Sequence, residues 1–420
     1  MSSLFLPLAY ASFKSVYKII IIIFTGFLLS CLGYYSHTSR KNISTLLVHC
    51  LMPSMLFTHL SFALNETTNR ELVNHLWLPG YAIFHSCLGF TIAYITLKLY
   101  EKLIGRFNKD NTTAYTETNR SLYRALGLIS VAFANSGAMP FGLIEALCHN
   151  VPSGTLGFSS AETCAKKGIG FVSLYLVILS PALWAFAPMM LKKEHAKRRR
   201  VSHTLANIQS ITKDDSPTKE DFESGLSALM LDSSGDPPSF SYWERFKALP
   251  PPLLATFFGL FMGMTKLSRF YAPEDSILYP FITSPLEMIA GSAVPLSMIN
   301  LGGAIEATWR SSGNFGPAVA PPMPKSLLSV IVISRLILVP AISISFTYFL
   351  LKFDVLPRDE PILLVVLMLE STPPLAFQIM NMIQLYCGQA EGAAAKIYLY
   401  EYGIAIFTMV AWLSLMLAII

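Results

Sequence analysis

The chain of 420 residues contains few charges, because Asp, Glu, Lys and Arg make up only 14% of it. Soluble domains carry about 25% charged residues. Hydrophobic residues reach 53%, and a soluble protein of this composition would lack the polar residues needed to cover its surface. We therefore predict a polytopic helical membrane protein. The formal net charge of +5 is small and gives no indication of nucleic-acid binding.

Signatures of enzymes and cofactors are also missing. The six cysteines include no CxxC pair and no metal-ligand spacing. The sequence contains no P-loop, no GxSxG, no HExxH and no dinucleotide fingerprint. We therefore expect no metal and no cofactor, and we do not expect enzyme activity or ATP-driven pumping by this chain alone.

Ten segments have the roughly 20 apolar residues that a membrane-spanning helix needs. They lie at about 13–34, 42–64, 75–100, 122–148, 168–191, 249–268, 280–303, 325–351, 361–387 and 394–420.

A polar stretch divides these ten segments into two sets of five. We predict a first five-helix repeat over 1–191, a cytosolic and mostly disordered linker over 192–247, and a second repeat over 248–420. Because each half has an odd number of spans, the second half is inserted upside down relative to the first. The predicted fold is therefore an all-α inverted repeat, as in alternating-access carriers.

The fourth and ninth segments are interrupted at equivalent places, by Ala-Asn-Ser-Gly-Ala-Met-Pro at 134–140 and by Glu-Ser-Thr-Pro-Pro-Leu-Ala at 370–376. Proline removes a backbone donor and clashes with the preceding turn, so we predict two helices broken inside the membrane. Each second half-helix begins with free N–H groups at the positive end of its dipole. Two such ends suit a small organic anion. The candidate substrate-binding residues are Asn135, Ser136, Gly137, Pro140, Ser371, Thr372, Pro373 and Pro374. The alternative is two kinks capped by their own side chains.

Two ionisable residues in the apolar segments require an explanation. A carboxylate near the bilayer midplane is costly and usually functional, so Glu370 is a candidate for proton coupling. The alternative is a carboxylate at a helix end that accepts backbone N–H bonds. Arg335 is expected to have a structural role, paired either with a carboxylate or with carbonyl groups of a broken helix.

Most Lys and Arg residues lie in loops on one side of the predicted spans, so the positive-inside rule places the N-terminus outside or in a lumen and the central linker in the cytosol. This orientation places Cys148 and Cys164 on the oxidising side. The two alternatives there are a disulfide between them and two free thiols. The sequon at Asn65 lies on the same side, where glycosylation is possible.

Residues 135–148 resemble the auxin efflux carrier family, most closely its PIN-LIKES branch, which has a similar Asn-x-Gly-Asn-x-Pro break before a helix that ends in Cys. Ala138 stands where that branch has the second Asn. The resemblance covers nearly the whole chain outside the linker. Other matching segments are 157–164, 250–263, 293–303, 370–376 and 391–412.

The resemblance implies that helices 1, 2, 6 and 7 form a scaffold and that helices 3–5 and 8–10 form a mobile transport domain. Members of the family form homodimers through the scaffold and move indole-3-acetic acid and related organic anions by an elevator motion. PIN-LIKES members reside in the endoplasmic reticulum membrane. We therefore expect an organic-anion carrier. The alternative is a membrane sensor or scaffold that holds a lipid or sterol in the same fold without transporting it.

Overall fold

A computed structural model describes residues 2–66, 77–107, 117–150, 156–158, 160–211, 249–271, 276–310 and 323–420. All regular structure in these ranges is helical. Six helical segments are long and apolar enough to cross a membrane, as expected for a multi-pass membrane protein. They are His37–Phe62, Trp77–Leu103, Ala161–Arg198, Tyr279–Arg310, Lys325–Lys352 and Gly388–Ile419.

The α-helices of the described residues are numbered here in chain order. They are α1 (Ser2–Cys31), α2 (His37–Leu46), α3 (Met52–Glu66), α4 (Trp77–Phe107), α5 (Glu117–Ala132), α6 (Ala138–Asn150), α7 (Ala161–Ile211), α8 (Pro251–Met264), α9 (Ser284–Arg310), α10 (Lys325–Ile333), α11 (Val339–Lys352), α12 (Pro361–Leu369), α13 (Gln378–Tyr386) and α14 (Glu391–Ile419). The π-helical turn Leu47–Leu51 joins α2 to α3, Tyr279–Thr283 precedes α9, and Ser334–Leu338 joins α10 to α11.

Glycines allow α1 and α9 to cross with their backbones in contact. A Cβ atom on Gly26 would collide with the backbone of Ile299, and one on Gly302 would collide with the backbone of Ile23. Small residues are common at helix contacts in membranes, because there close van der Waals packing replaces the hydrophobic effect. Any larger residue at either glycine would force the two helices apart.

Helix α7 extends well beyond residue 192, where the sequence predicts the start of a disordered linker. Residues 192–211 contain no Gly or Pro and are rich in Lys, Arg and Ala, which favour helix. The helix is also held by α5, because Ser121 Oγ donates to Glu194 at 2.7 Å and Arg198 donates to Asn119 Oδ1 at 2.6 Å. The linker prediction is therefore corrected for 192–211, and its remainder to residue 247 lies outside the described residues.

A buried amide network holds α13 against α9. Asn300 Nδ2 donates to Asn381 Oδ1 at 3.0 Å and to Gln384 Oε1 at 2.6 Å. Gln384 Nε2 in turn donates to Glu391 Oε1 at 2.8 Å, which also accepts from Arg40 Nε at 2.9 Å. All five side chains are buried. Because each polar group has a partner, the network is compatible with an apolar interior.

A disulfide joins the end of α6 to the first turn of α7. It links Cys148 to Cys164, whose Cα atoms are 5.7 Å apart. The candidate glycosylation site, Asn65, belongs to the last turn of α3, but its side chain and the rest of its sequon lie outside the described part of the chain.

Candidate functional site

Two helices are interrupted at the positions that the Pro and Gly residues indicate. Helix α5 ends at Ala132 and the chain becomes helical again at Ala138, where α6 begins. Helix α12 ends at Leu369, and α13 begins at Gln378. The two interruptions are called here the first break (133–137) and the second break (370–377).

The two breaks cross and pair with each other in an antiparallel bridge. The backbone N–H of Asn135 donates to the carbonyl of Pro374 at 2.8 Å, and the N–H of Ala376 donates to the carbonyl of Phe133 at 3.1 Å. A lipid-embedded chain cannot leave its backbone groups unpaired. Each break thus supplies hydrogen bonds that the other lost when its helix ended.

Arg335 binds two carbonyl groups of the second break and one at the end of α5. Its Nε donates to Pro373 O at 2.8 Å, its Nη1 to Val131 O at 3.1 Å and its Nη2 to Ser371 O at 3.2 Å. These contacts confirm the second alternative for Arg335, carbonyl groups of a broken helix. The guanidinium group therefore lies at the C-terminal ends of α5 and α12, where the helix dipoles are negative.

Side chains of helix α14 form hydrogen bonds with the backbone of the second break, on the side away from Arg335. The N–H of Leu375 donates to Glu401 Oε2 at 2.7 Å, and the carbonyl of Leu375 accepts from the hydroxyl of Tyr402 at 3.0 Å. The same hydroxyl accepts from Asn135 Nδ2 at 3.0 Å. The polar groups of α14 therefore bind the crossover itself.

The four candidate residues of the second break use their polar groups internally. The Ser371 hydroxyl donates to Met368 O at 2.7 Å and the Thr372 hydroxyl donates to Leu369 O at 2.9 Å. The carbonyls of Pro373 and Pro374 accept from Arg335 and Asn135, as described above. No side-chain polar group of these four residues remains free for a ligand in this conformation.

A cavity borders the first break. Its volume, counted as the space that the centre of a water-sized sphere can occupy, is about 70 Å³. In the same measure, about 10–15 Å³ is enough for one water molecule. Helices α3, α7 and α9 supply most of its largely apolar walls, and the first break, Phe141 of α6 and the start of α13 supply the rest. The polar side chains that line it are His59, Ser136, Ser173, Ser180 and Gln378.

Two of these polar side chains have buried atoms without a hydrogen-bond partner among the described residues, Ser136 Oγ and Gln378 Oε1. The Ser136 hydroxyl lies beside Tyr175 and Glu370 but meets hydrogen-bond geometry with neither. Buried polar atoms are normally paired, because an unpaired one costs free energy. A ligand in the cavity would supply the missing partners.

The remaining candidate residues of the first break lie at different distances from the cavity. Gly137 lines it, whereas Asn135 is fully buried and donates to Tyr402, and its Oδ1 accepts no hydrogen bond from the described residues. Pro140 lies in the first turn of α6 and does not line the cavity. Sequence reasoning missed Gln378, which lies two residues beyond the predicted interruption. Its place just after the second break was the one signal in the sequence, but that place does not show that the side chain faces the cavity.

Glu370 is the C-cap residue of α12 and is 1% exposed. Neither carboxylate oxygen has a hydrogen-bond partner among the described residues, so the backbone N–H bonds of the alternative interpretation are not observed. Arg335 and Tyr175 are the charged and titratable groups that interact with it.

The described residues contain no group of His, Cys, Asp and Glu side chains suited to hold a metal ion.

Comparisons with known proteins place the chain in a family. A family model described as membrane transport protein matches residues 11–104 and 117–413. Protein PIN-LIKES 3 of Arabidopsis thaliana is 22% identical and the match covers 97% of each chain. An uncharacterized transporter of Schizosaccharomyces pombe is 22% identical, over 94% of this chain and 91% of its own. Another, of Saccharomyces cerevisiae, is 24% identical, over 91% of this chain and 89% of its own.

These matches confirm the resemblance that the broken-helix motifs indicate, and the family is one of transporters, not of enzymes. The chain therefore belongs to the membrane transport protein family, that of the auxin efflux carriers, and is similar over almost its whole length to PIN-LIKES proteins.

Proposed function

We propose that this membrane transporter is a secondary carrier for a small organic anion and that the cavity at the first break is its binding site. The observation that carries the proposal is the pair of unpartnered polar atoms, Ser136 Oγ and Gln378 Oε1, in an otherwise mostly apolar cavity. A ligand with an apolar body and a polar head matches such a lining. By resemblance to its family, the substrate is an auxin-like carboxylate.

The positions of the half-helices support an anionic substrate. Gly137 immediately precedes α6, Gln378 begins α13, and both line the cavity, so two positive dipole ends are directed toward it. The described lining includes no Lys or Arg. Affinity for a carboxylate therefore comes from N–H groups and dipoles, which bind the anion without a strong ion pair and allow its release.

The proposed architecture has ten spans in two inverted repeats. Besides the six long helices, Tyr17–Cys31 and Pro251–Met264 are shorter apolar helices, and the two broken helices supply the other spans. The cavity has α3 and α9 on one side and α7 and α13 on the other, which in the family's arrangement are scaffold and transport domain. A site at this boundary supports an elevator motion. We also propose a homodimer and a location in the endoplasmic reticulum membrane, both from the family resemblance. The lumenal N-terminus is proposed from the distribution of Lys and Arg.

Glu370 is the proposed proton carrier. The crossover contains one buried cation, Arg335, which interacts electrostatically with two buried carboxyl groups, Glu370 and Glu401. One proton balances these three charges. Glu401 accepts an N–H bond from Leu375, whereas Glu370 accepts none, so we assign the proton to Glu370. Loss of this proton would leave a negative charge on Glu370, which lies beside the cavity-lining Ser136, and this charge would repel an anionic substrate.

The test of the proposed carrier is uptake into proteoliposomes of radiolabelled carboxylates, including indole-3-acetate, with and without a pH gradient. We expect saturable uptake of at least one carboxylate. Gly137→Ala should reduce it severalfold without loss of stability, because the added methyl group meets only Leu176 Cδ1, at 3.9 Å. Gly142→Ala, in the half-helix that follows Gly137 but outside the cavity lining, is the matched control. Specific binding without flux would instead favour the sensor or scaffold alternative.

The proton assignment has its own test. Glu370→Gln keeps the size of the side chain but cannot lose the proton, so uptake should persist and no longer respond to the pH gradient. The pH response should also require intact Arg335 and Tyr175, which interact with Glu370, and intact Glu401, which interacts with Arg335. An unchanged pH profile in Glu370→Gln would refute the assignment but would leave the binding site untouched.

A further inference from the structure

A second cavity lies away from the crossover, where the end of α9 meets the starts of α10 and α14. It has about 190 Å³ open to the centre of a water-sized sphere. Lys325, the first residue of α10, and Lys396, in the second turn of α14, both line it. Thr308 and Trp309 of α9 form the facing wall. Because three helices contribute, a molecule in this cavity would contact all of them.

The two lysines face each other without a counter-ion. Their ammonium groups repel each other, and neither makes an ion pair with any described residue. Two arginines differ in this respect: Arg310, which follows Trp309 in the chain, pairs with Glu306 at 2.7 Å, and Arg40 pairs with Glu391, the first residue of α14, at 2.9 Å. The adjoining stretch 311–322 contains no Asp or Glu. The positive charge of the two lysines is therefore not neutralised by the described residues, and an anion from outside them could bind here.

The rim of the cavity is apolar and aromatic. Trp309 is 69% exposed, Tyr400 45% and Leu399 41%. Trp and Tyr are enriched where a membrane helix meets the headgroup region, because their rings are apolar and carry one polar atom. Two cationic groups inside a rim of this kind match the headgroup and upper acyl chain of a lipid better than they match a soluble anion.

We propose that this cavity binds the phosphate group of an anionic phospholipid, with Lys325 and Lys396 on the phosphate and Trp309 against the upper acyl chain. Basic pockets between membrane helices bind lipid headgroups in this way. With the orientation proposed above, the cavity opens to the cytosolic leaflet, which is rich in anionic lipids. The site is separate from the substrate cavity and does not depend on what the protein transports.

Trp309 provides a direct measurement of this site. The purified full-length protein is placed in nanodiscs of phosphatidylcholine with increasing fractions of phosphatidic acid that is brominated near the headgroup, and quenching of tryptophan fluorescence is recorded. Brominated phosphatidylcholine is the neutral comparison. We expect phosphatidic acid to quench at a lower mole fraction. Lys325→Gln/Lys396→Gln should weaken its apparent affinity about 25-fold, on the basis of roughly fivefold per lysine.

Three controls make the result specific. Lys102→Gln/Lys193→Gln removes the same charge from exposed positions outside the cavity and should leave the selectivity unchanged. Trp309→Phe should abolish the selective part of the quenching. Inorganic phosphate at millimolar concentration tests whether the site binds free phosphate instead of a lipid headgroup. If it competes fully with phosphatidic acid, the assignment to a lipid is overturned. Equal quenching by both lipids, or undiminished selectivity in Lys325→Gln/Lys396→Gln, would overturn the site itself.

Discussion

The first and second breaks arise from similar residues, a polar pair beside proline or glycine, but they differ in where their polar side chains point. At the second break, the hydroxyls of Ser371 and Thr372 donate to carbonyls of their own helix. At the first break, the hydroxyl of Ser136 is buried at the cavity and has no hydrogen-bond partner within the ranges that the structure describes. Breaking a helix is therefore not enough to make a site.

The surroundings of each break explain this difference. The second break is held between Arg335 on one side and α14 on the other, and its donors and acceptors are used by these neighbours. The first break faces the apolar walls of α3 and α7, which offer few polar partners. Because buried polar groups need partners, the first break keeps its hydrogen-bonding capacity for a ligand.

The half-helices that follow the breaks are also held differently. Helix α6 is tied at its far end by the disulfide between Cys148 and Cys164, whereas α13 is tied by hydrogen bonds of Asn381 and Gln384. A covalent link maintains its partners' separation in any state of the protein. Hydrogen bonds can exchange with others, so the two ends are expected to respond differently to reductant and to mutation.

The largest effect is expected for Arg335, which connects two carbonyls of the second break with one at the end of α5. Arg335→Leu leaves these carbonyls and two buried carboxyl groups without their cation, and removal of one partner from such a buried network costs about 3–5 kcal/mol. We expect loss of monodisperse protein in size-exclusion chromatography. Arg335→Lys retains the charge but loses the planar fork, so its melting temperature should be intermediate. A wild-type melting temperature in Arg335→Leu would contradict the proposed role.

The disulfide at α6 is expected to give the next largest effect. Its cysteines are 16 residues apart in sequence, and closing a loop of about that length stabilises by about 3 kcal/mol in the chain-entropy model. The melting temperature in detergent should fall on addition of reductant and in Cys148→Ser/Cys164→Ser, and reductant should not affect that variant further. Cys387→Ser, at the end of α13, should retain the response to reductant.

The comparison between the breaks is sharpened by matched removals of polar groups. Ser136→Ala and Gln378→Leu should each reduce carboxylate uptake by about tenfold, since a hydrogen bond to a charged group contributes about 1.5–3 kcal/mol. Their melting temperatures should not fall, because the removed atoms have no hydrogen-bond partners in the described part of the chain. Ser371→Ala and Thr372→Val should reverse this pattern, with a small loss of stability and nearly normal uptake. Equal effects on uptake at both breaks would contradict the division of roles.

The smallest effect is expected for Tyr402→Phe, which removes only the hydroxyl that links the two breaks through Leu375 and Asn135. The loss of its hydrogen bonds should cost about 1 kcal/mol. We expect a small decrease in melting temperature, and a smaller decrease still when Asn135→Ala is already present, because the two changes remove a shared contact. Strict additivity in this double-mutant cycle would show that the contact contributes nothing.

The positions of the two breaks could be predicted because proline and glycine act locally on the helix that contains them. The role of Arg335 was partly predictable for the same reason, since a buried cation needs acceptors and broken helices provide carbonyls. Gln378 could not be predicted as a cavity residue, because nothing in its neighbours shows where the first turn of α13 points. The helix at 192–211 was missed because its contacts with Asn119 and Ser121 come from a distant segment.

By itself, the sequence determined the membrane class, the family and the places where two helices are interrupted. All three follow from composition or from residues close together in the chain. Only the tertiary structure decided which break borders a cavity and which is closed by hydrogen bonds. The reason is that a buried polar group takes its partner from whatever packs against it, and for Asn135 that partner is Tyr402, which is 267 residues away in sequence.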